Sequence, residues 1–286
     1  MNWHIGVIGG SGLAEGLELD DAQEIPVASP FGTPSGPVLT GKLHGIRVTF
    51  LARHGKGHRL LPSLVDYRAN IDVLKRCGVT DVLALSAIGS LSEEMEPGHF
   101  VAVDQFIDRT QGRRGSFFGE GLVAHVSLAD PVCARLSKLA ASAAEGVGAT
   151  VHRKGCYVAI EGPQFSTRAE SHMYRQWGAQ VIGMTAMPEA RLAREAELPY
   201  ALLGMVTDYD CWREGEAVTA DQVLAVMAQN AQRARATVDK LLQSLPKKRS
   251  ASPVDTALDG AIVTAPSARD GKLMAMLDAV AGRVLR

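Results

Sequence analysis

The chain is 286 residues long, 46% hydrophobic and 21% charged, and its 30 basic and 31 acidic side chains give a formal net charge of -1. That length can bury a full core in one large α/β domain or two small ones, and the balanced charge excludes a global basic surface for nucleic acid. No apolar run is long enough to span a bilayer, and residues 1–8 run straight into a strand pattern, so the expectation is a cytoplasmic enzyme or binding protein.

Residues 5–8 form a β-branched strand that breaks at Gly9, Gly10, Ser11 and Gly12. Successive glycines let backbone N–H groups converge on an anion, and Ser11 adds a hydroxyl donor. A dinucleotide fingerprint needs its last glycine to open a helix, and the acidic, irregular stretch 15–21 supplies none, so the loop suits phosphate better than NAD. A tight turn without a ligand fits the glycines equally well. Residues 29–37, rich in proline and glycine, read as surface loop. The next strand, 48–52, delivers Arg53, His54, Lys56, His58 and Arg59 to one sheet edge, and the glycines among them favour an anion site over a solvated face. Helical spacing covers 66–77. The apolar strand 81–90 also ends in small and hydroxyl residues, including Ser86 and Ala87, and is a third strand end with anion donors.

A strand is expected at 100–103, and 104–110 is polar enough to lie at a sheet edge. The glycine-rich, aromatic stretch 111–123 is a candidate lid or subunit contact. It leads to His125, which on its own reads as structural. An alanine-rich helix at 131–147 and a strand at 157–160 precede a stiff turn, where Phe165 beside Ser166 can stack a flat ligand, although phenylalanine is more often core. Helix 168–177, strand 181–184 ending at Thr185, and helix 188–196 follow, with Glu189 in the first turn of the last, as the macrodipole prefers. The apolar run 198–204 has the composition of a buried parallel strand, and Asp208 and Asp210 appear where it runs out. Open α/β sheets bind ligands at such ends. Two acids one residue apart solvate, share a cation, or face a ligand rich in donors; Val206, Tyr209 and Trp212 make solvation less attractive, while a capped turn remains the bland account. A long helix at 219–242, capped by Thr219, stops before Pro246. Residues 247–253 read as a solvated basic linker and 272–285 as an amphipathic helix that packs on this domain or a neighbouring subunit. The division expected is therefore a domain at 1–245 and a linker with tail helix at 246–286. Cys77, Cys133, Cys156 and Cys211 lack metal or disulfide spacing and read as core thiols, so no metal site is expected.

Phosphate donors at Ser11, Arg53, His54, Ser86 and Thr185, a stacking Phe165 and twin acids suit a pocket with an oxyanion at one end and a nitrogen-rich ring at the other. That layout would split a nucleoside with phosphate. Through IGVIGGSGL, LARHGKGH, SAIGS, DQFIDRT, IEGPQFSTRAES, GMT and TDYDCW the chain resembles the methylthioadenosine phosphorylases of the trimeric purine nucleoside phosphorylase family, from Ile5 to about Leu242. The resemblance implies a single-domain, three-layer α/β fold with a mixed, largely parallel central sheet flanked by helices, and a homotrimer. It implies that Ser11, Arg53, His54, Ser86, Ala87 and Thr185 hold phosphate. It also implies that Phe165, Ser166, Met184, Asp208 and Asp210 take purine and ribose, that His58 and Val223 lie near the 5′ substituent, and that His125 reaches across from the adjoining subunit. Gln164 stands where the family commonly has Arg, and the tail beyond Leu245 carries no matched residue.

Phosphorolysis puts positive charge on the ribose and negative charge on the purine in the transition state. A protonated Asp208 near N7 would neutralise the leaving base, and phosphate would be both nucleophile and counter-charge, with no metal or organic cofactor. A 6-amino group donates to a carboxylate whereas a 6-oxo group opposes it, so the acids favour adenine, and S-methyl-5′-thioadenosine is the expected substrate. The rivals are a 6-oxopurine or methylthioinosine phosphorylase, a sugar-nucleotide transferase holding a metal on its D-x-D acids, and a nucleotide-binding module using residues 9–12.

Overall fold

The computed structural model describes residues 2–10, 12–213 and 220–285, with the side chains of 220–225 and 227 outside that description. The first half contains strands β1 (His4–Gly9), β2 (Asp20–Ile25), β3 (Val38–Leu43) and β4 (Ile46–Ala52), helix α1 (Tyr67–Arg76), and strands β5 (Asp81–Ser90), β6 (Phe100–Val103) and β7 (Gln105–Arg109). Helix α2 (Ala134–Gly146) follows, then β8 (Val151–His152), β9 (Cys156–Ile160), α3 (Arg168–Gln176), β10 (Val181–Gly183), α4 (Ala186–Glu195), β11 (Tyr200–Asp208) and α5 (Ala220–Ser244). The tail carries α6 (Gly271–Met276) and α7 (Gly282–Leu285).

The strands make one mixed, largely parallel sheet in the order β2-β3-β4-β1-β5-β10-β9-β7, with β11, β6 and β8 branching from β5. The central strands alternate their side chains between two cores, as a sheet covered on both faces must. Ile8, Val82, Ala84 and Leu202 meet α1, α4 and the tail on one face. Ile5, Val7, Leu83 and Leu203 meet α2 and α5 on the other. Helices on both faces of the sheet make the three layers expected. No helix among the described residues is long and apolar enough to cross a membrane.

The fork at β5 opens the site. Strand β1 pairs with β5 only as far as Ala84, and β10 pairs with it only at Gly89 and Ser90. Residues 85–88 therefore present one edge without a strand partner among the described residues, while their other edge pairs with β11. In β11 the register slips between Val206 and Asp208, so that Asp208 comes opposite Gly89. A bulge of this kind re-aims side chains. Gly89 has to be glycine here, because a Cβ would lie 3.0 Å from Asp208 Oδ1 and 2.9 Å from Ile182.

Several expectations change. The stretch 111–123 is anchored on the core through the buried Phe117, Phe118 and Leu122. The basic linker is not solvated throughout: the Arg249 side chain is 2% exposed and pairs with Asp81 and Asp255. The single tail helix is two short ones, with Leu277, Val280 and Ala281 between them in the core. Asp278 Oδ1 there accepts from the Ala279 N–H, a local bond that competes with continued helix. Thr219, the expected cap of α5, lies outside the described residues.

Candidate active site

A cavity of about 540 Å³ lies at the fork, and both Arg53 and Asp208 line it. Around its anion end are Gly10, Gly12, Arg53, His54, Ser86, Ala87 and Thr185, contributed by the turns after β1 and β4, the free edge of β5 and the start of α4. Ser11 lies outside the described residues. The Ser86 and Thr185 hydroxyl oxygens are 3.4 Å apart, and Thr185, just before α4, makes no capping bond with its side chain, so both hydroxyls are on hand for an anion.

Arg53 is buried, 2% exposed, and is held from three sides. Its Nε and Nη2 donate to Glu189 Oε2 at 2.7 Å and Oε1 at 2.8 Å, and its Nη1 donates to the Leu85 carbonyl at 3.2 Å. Tyr200 Oη donates to Glu189 at 2.9 Å. A guanidinium has five N–H donors, so two remain for a ligand. Glu189 sits in the first turn of α4 as expected, but its role is the Arg53 pair, across 136 positions of sequence, and no local pattern announces that.

His54 Nδ1 lies 2.8 Å from the Leu60 carbonyl, which can only accept, so Nδ1 carries the proton. Burial, with the Arg53 charge next, lowers its pKa to about 4. The ring is then neutral at pH 7 and its Nε2 is a lone-pair acceptor. The His58 ring stacks on it at 4.2 Å between centroids and also lines the cavity.

At the other end Phe165, Met184, Asp208 and Asp210 line the cavity with Ile160, Ile182 and Gly183. Phe165 is 49% exposed, not core, and so is available to lie against a flat ligand. Asp208 Oδ1 accepts from the Asp210 N–H at 2.8 Å, and Oδ2 is 2.6 Å from the Thr207 hydroxyl, which also reaches the Ile88 carbonyl at 3.2 Å. The capped turn and the ligand-facing acid are thus the same residue. Asp210 is 4% exposed and takes a left-handed backbone, φ 53°, which Asp tolerates better than most residues. Burial raises the carboxyl pKa of both acids, more than the Thr207 contact and the Asp210 N–H lower that of Asp208.

The remaining expected residues divide. Ser166 is near but does not line the cavity; its hydroxyl is buried without a hydrogen-bond partner among the described residues, and its carbonyl lies 3.1 Å from Cys211 Sγ. His125 is exposed and lies off this chain's cavity, with its N–H donating to the Ala261 carbonyl. The Val223 side chain lies outside the described residues. Asn230 and Arg235 of α5 line the cavity without having been anticipated, Arg235 with Nη1 3.3 Å from the Gly12 carbonyl. Their positions on a long amphipathic helix look no different from its solvated face.

An anion cradle and a buried acid pair in one cavity, on this forked sheet, match a known class. The phosphorylase superfamily profile matches residues 4–243, and the chain belongs to that family. Among its relatives, the S-methyl-5′-thioadenosine phosphorylase of Bradyrhizobium diazoefficiens is 55% identical over 285 residues, covering 99% of this chain and 98% of the relative. That of Cereibacter sphaeroides is 56% identical over the full length of both. A methylthioadenosine phosphorylase from an Antarctic soil metagenomic library has the same fold, with a TM-score of 0.93, 44% identity and coverage of 98% and 99%. The methylthioadenosine phosphorylase of Schistosoma mansoni in complex with tubercidin superposes with a TM-score of 0.77 at 36% identity, covering 84% of this chain and 90% of that one.

Proposed function

We propose that the protein cleaves S-methyl-5′-thioadenosine with inorganic phosphate, giving adenine and 5-methylthioribose 1-phosphate, as a cytoplasmic homotrimer serving methionine salvage. The observation that carries this reading is the single cavity shared by Arg53, His54, Ser86 and Thr185 at one end and Asp208 with Asp210 at the other. Near-complete relatives at 55% and 56% identity that bear this activity's name support it.

The chemistry follows from the groups. Phosphate rests against the two free Arg53 N–H donors and the Ser86 and Thr185 hydroxyls. Neutral His54 accepts the O–H of a monohydrogen phosphate through Nε2, which leaves the bare oxygens for attack on C1′. As the C1′–N9 bond breaks, its electron pair moves onto the purine, and Asp208, whose carboxyl pKa burial raises, serves as the acid that donates a proton to N7. A phosphate oxygen bonds to C1′ and neutralises the cationic sugar. Asp210 accepts from the 6-amino group, which selects adenine over a 6-oxopurine. Phosphate is a co-substrate and no organic cofactor or metal is invoked. His125 of an adjoining copy, with His58 and Val223, is assigned to the 5′ side.

The test is release of adenine from S-methyl-5′-thioadenosine with and without inorganic phosphate. Strictly phosphate-dependent release is expected, with one methylthioribose phosphate formed per adenine. Equal release without phosphate would make the protein a hydrolase, and preference for methylthioinosine in a paired assay would reverse the role given to Asp210.

A further inference from the structure

Arg113 is a buried cation on the loop between β7 and α2, and nothing in the proposed chemistry uses it. Its side chain is 4% exposed. Nε lies 3.1 Å from both Glu161 carboxylate oxygens, and Nη2 donates to the Glu161 carbonyl at 2.7 Å. Nη1 is 2.6 Å from the Met184 carbonyl, 2.9 Å from that of Met187 and 3.2 Å from Tyr67 Oη, which in turn donates to the Pro62 carbonyl. One guanidinium therefore joins the end of β9, the end of β10, the first turn of α4 and the loop before α1.

Three of those four segments are walls of the cavity: Ile160 and Phe165 lie on either side of Glu161 in the chain, Met184 and Thr185 carry the next wall, and Pro62 another. Two of them approach so closely that a Cβ on Gly162, where φ is +69°, would meet Met184 Sδ at 2.5 Å. Main-chain carbonyls of separate segments turned toward one point repel each other unless a cation lies among them, and a planar fork of donors fixes their directions as a single ammonium cannot. The loop carrying Arg113 is itself tied down further along, where Ser116 Oγ and the Phe117 N–H donate to Glu195 at 2.8 and 2.7 Å and the Gly121 carbonyl accepts from the Asp270 N–H at 2.9 Å.

We propose that Arg113 is a positioning residue for the nucleoside half of the site, holding the Phe165 turn and the Met184–Thr185 wall at the separation a purine nucleoside needs. This assignment rests on the phosphorolysis reading above. It assigns the stretch 111–123 a role beyond the lid or subunit contact expected from the sequence, that of a strut from the side of the molecule into the pocket. Glu161 and Met184 lead directly into the nucleoside walls, whereas no hydrogen bond joins Arg113 to Arg53 or Glu189 among the described residues, so the nucleoside side is the more dependent on it.

Steady-state kinetics of R113K, R113A and E161Q, each with thermal unfolding, test it, with R283Q as a control whose lost ion pairs to Glu197 and Asp259 lie away from the cavity. R113K keeps the charge and loses the fork. It is expected to stay folded, to raise the nucleoside KM by about tenfold or more, and to raise the phosphate KM by less than about threefold. E161Q, which leaves the carbonyl contacts in place, is expected to shift the nucleoside KM by a smaller factor in the same direction, and it carries the test should the Arg113 variants fail to fold. R283Q is expected to melt earlier with both KM values unchanged. A folded R113K, or a folded E161Q where R113K does not fold, whose nucleoside KM is unchanged while its melting temperature falls as in R283Q, overturns the proposal and makes Arg113 a purely structural residue. A wild-type enzyme that does not turn over the nucleoside would instead sink the phosphorolysis reading, so the two failures are distinct.

Discussion

Asp208 occupies a place where ionisation is disfavoured. Its surroundings are largely apolar, its close donors among the described residues are one backbone N–H and a hydroxyl that has a carbonyl as a second outlet, and burial is the largest influence on its pKa, raising it. Asp210, two residues on, is raised as well, again mainly by burial. The proton needed by the leaving purine is present at lower pH and removed as pH rises through the raised pKa of Asp208, and turnover is expected to fall on the alkaline side accordingly. Asp208→Asn keeps the shape and the capped turn but has no acidic proton. It is expected to lose about 100-fold or more in turnover of the 6-amino nucleoside and to lose the alkaline limb, with the phosphate KM within about a factor of two. A pH series on the two proteins reads both effects; full activity in the variant would remove Asp208 from the chemistry.

At the scale of elements, what was legible in the sequence depended on burial. Strand β5 was expected at 81–90 and is found at Asp81–Ser90, and β6 coincides with 100–103, because strands covered on both faces write continuous apolar runs. Strand β2 is DDAQEI, exposed throughout and held only by β3, so it has no apolar period to detect. The site divides the same way. Most of its anion donors and its acids lie at or just past strand ends and could be read locally, Ser86 and Ala87 lying inside β5 on its free edge, whereas Glu189 and Arg113 act through partners 136 and 48 positions away. The tail is the clearest case. Asp81, with no side-chain exposure, begins β5 and is paired by Arg249 and Arg135, and Arg249 also grips Asp255. Burial raises the Asp81 pKa, and the Arg249 hydrogen bond is the largest influence lowering it. Arg249→Ala leaves that buried carboxylate with Arg135 as its ion-pair partner and the Thr80 hydroxyl at 2.9 Å, and frees the start of the tail. Breaking a buried pair from one side costs about 3 kcal/mol or more, and urea unfolding is expected to show a loss of that order. Phosphate binding, at the opposite ends of the strands, is expected to persist. An unchanged urea midpoint would mean that the basic stretch is, after all, no more than a solvated linker.

For the molecule as a whole, two histidines, His4 on β1 and His54 in the turn after β4, favour the folded state at neutral pH and not in acid, opposite to the active-site acids. His4, at the start of β1, has Nε2 2.8 Å from Thr49 Oγ1 and its pKa is lowered to about 4, mainly by burial and then by the Arg47 charge. His54 is lowered to about 4 by burial and the Arg53 charge. A depressed histidine binds its proton in the unfolded chain before it does in the folded one. The stability it supports is thus fully present above the ordinary imidazole value of 6.5 and is lost progressively as pH falls from there to about 4. Each can contribute at most about 3 kcal/mol by linkage, and less where solvent screens it. The buried carboxyls with raised pKa, including Asp208, Asp210 and Glu195, act in the opposite sense, since the folded protein takes up their protons first and gains as pH falls. The melting temperature is therefore expected to be flat above neutrality, to fall between 6.5 and about 4, and to fall less steeply at the lower end of that window. His4→Gln retains a hydrogen bond to Thr49 without a titrating ring and is expected to remove about half of the slope while leaving turnover at neutral pH unchanged. A slope that survives this substitution undiminished would place the acid sensitivity elsewhere than on the β1 strand.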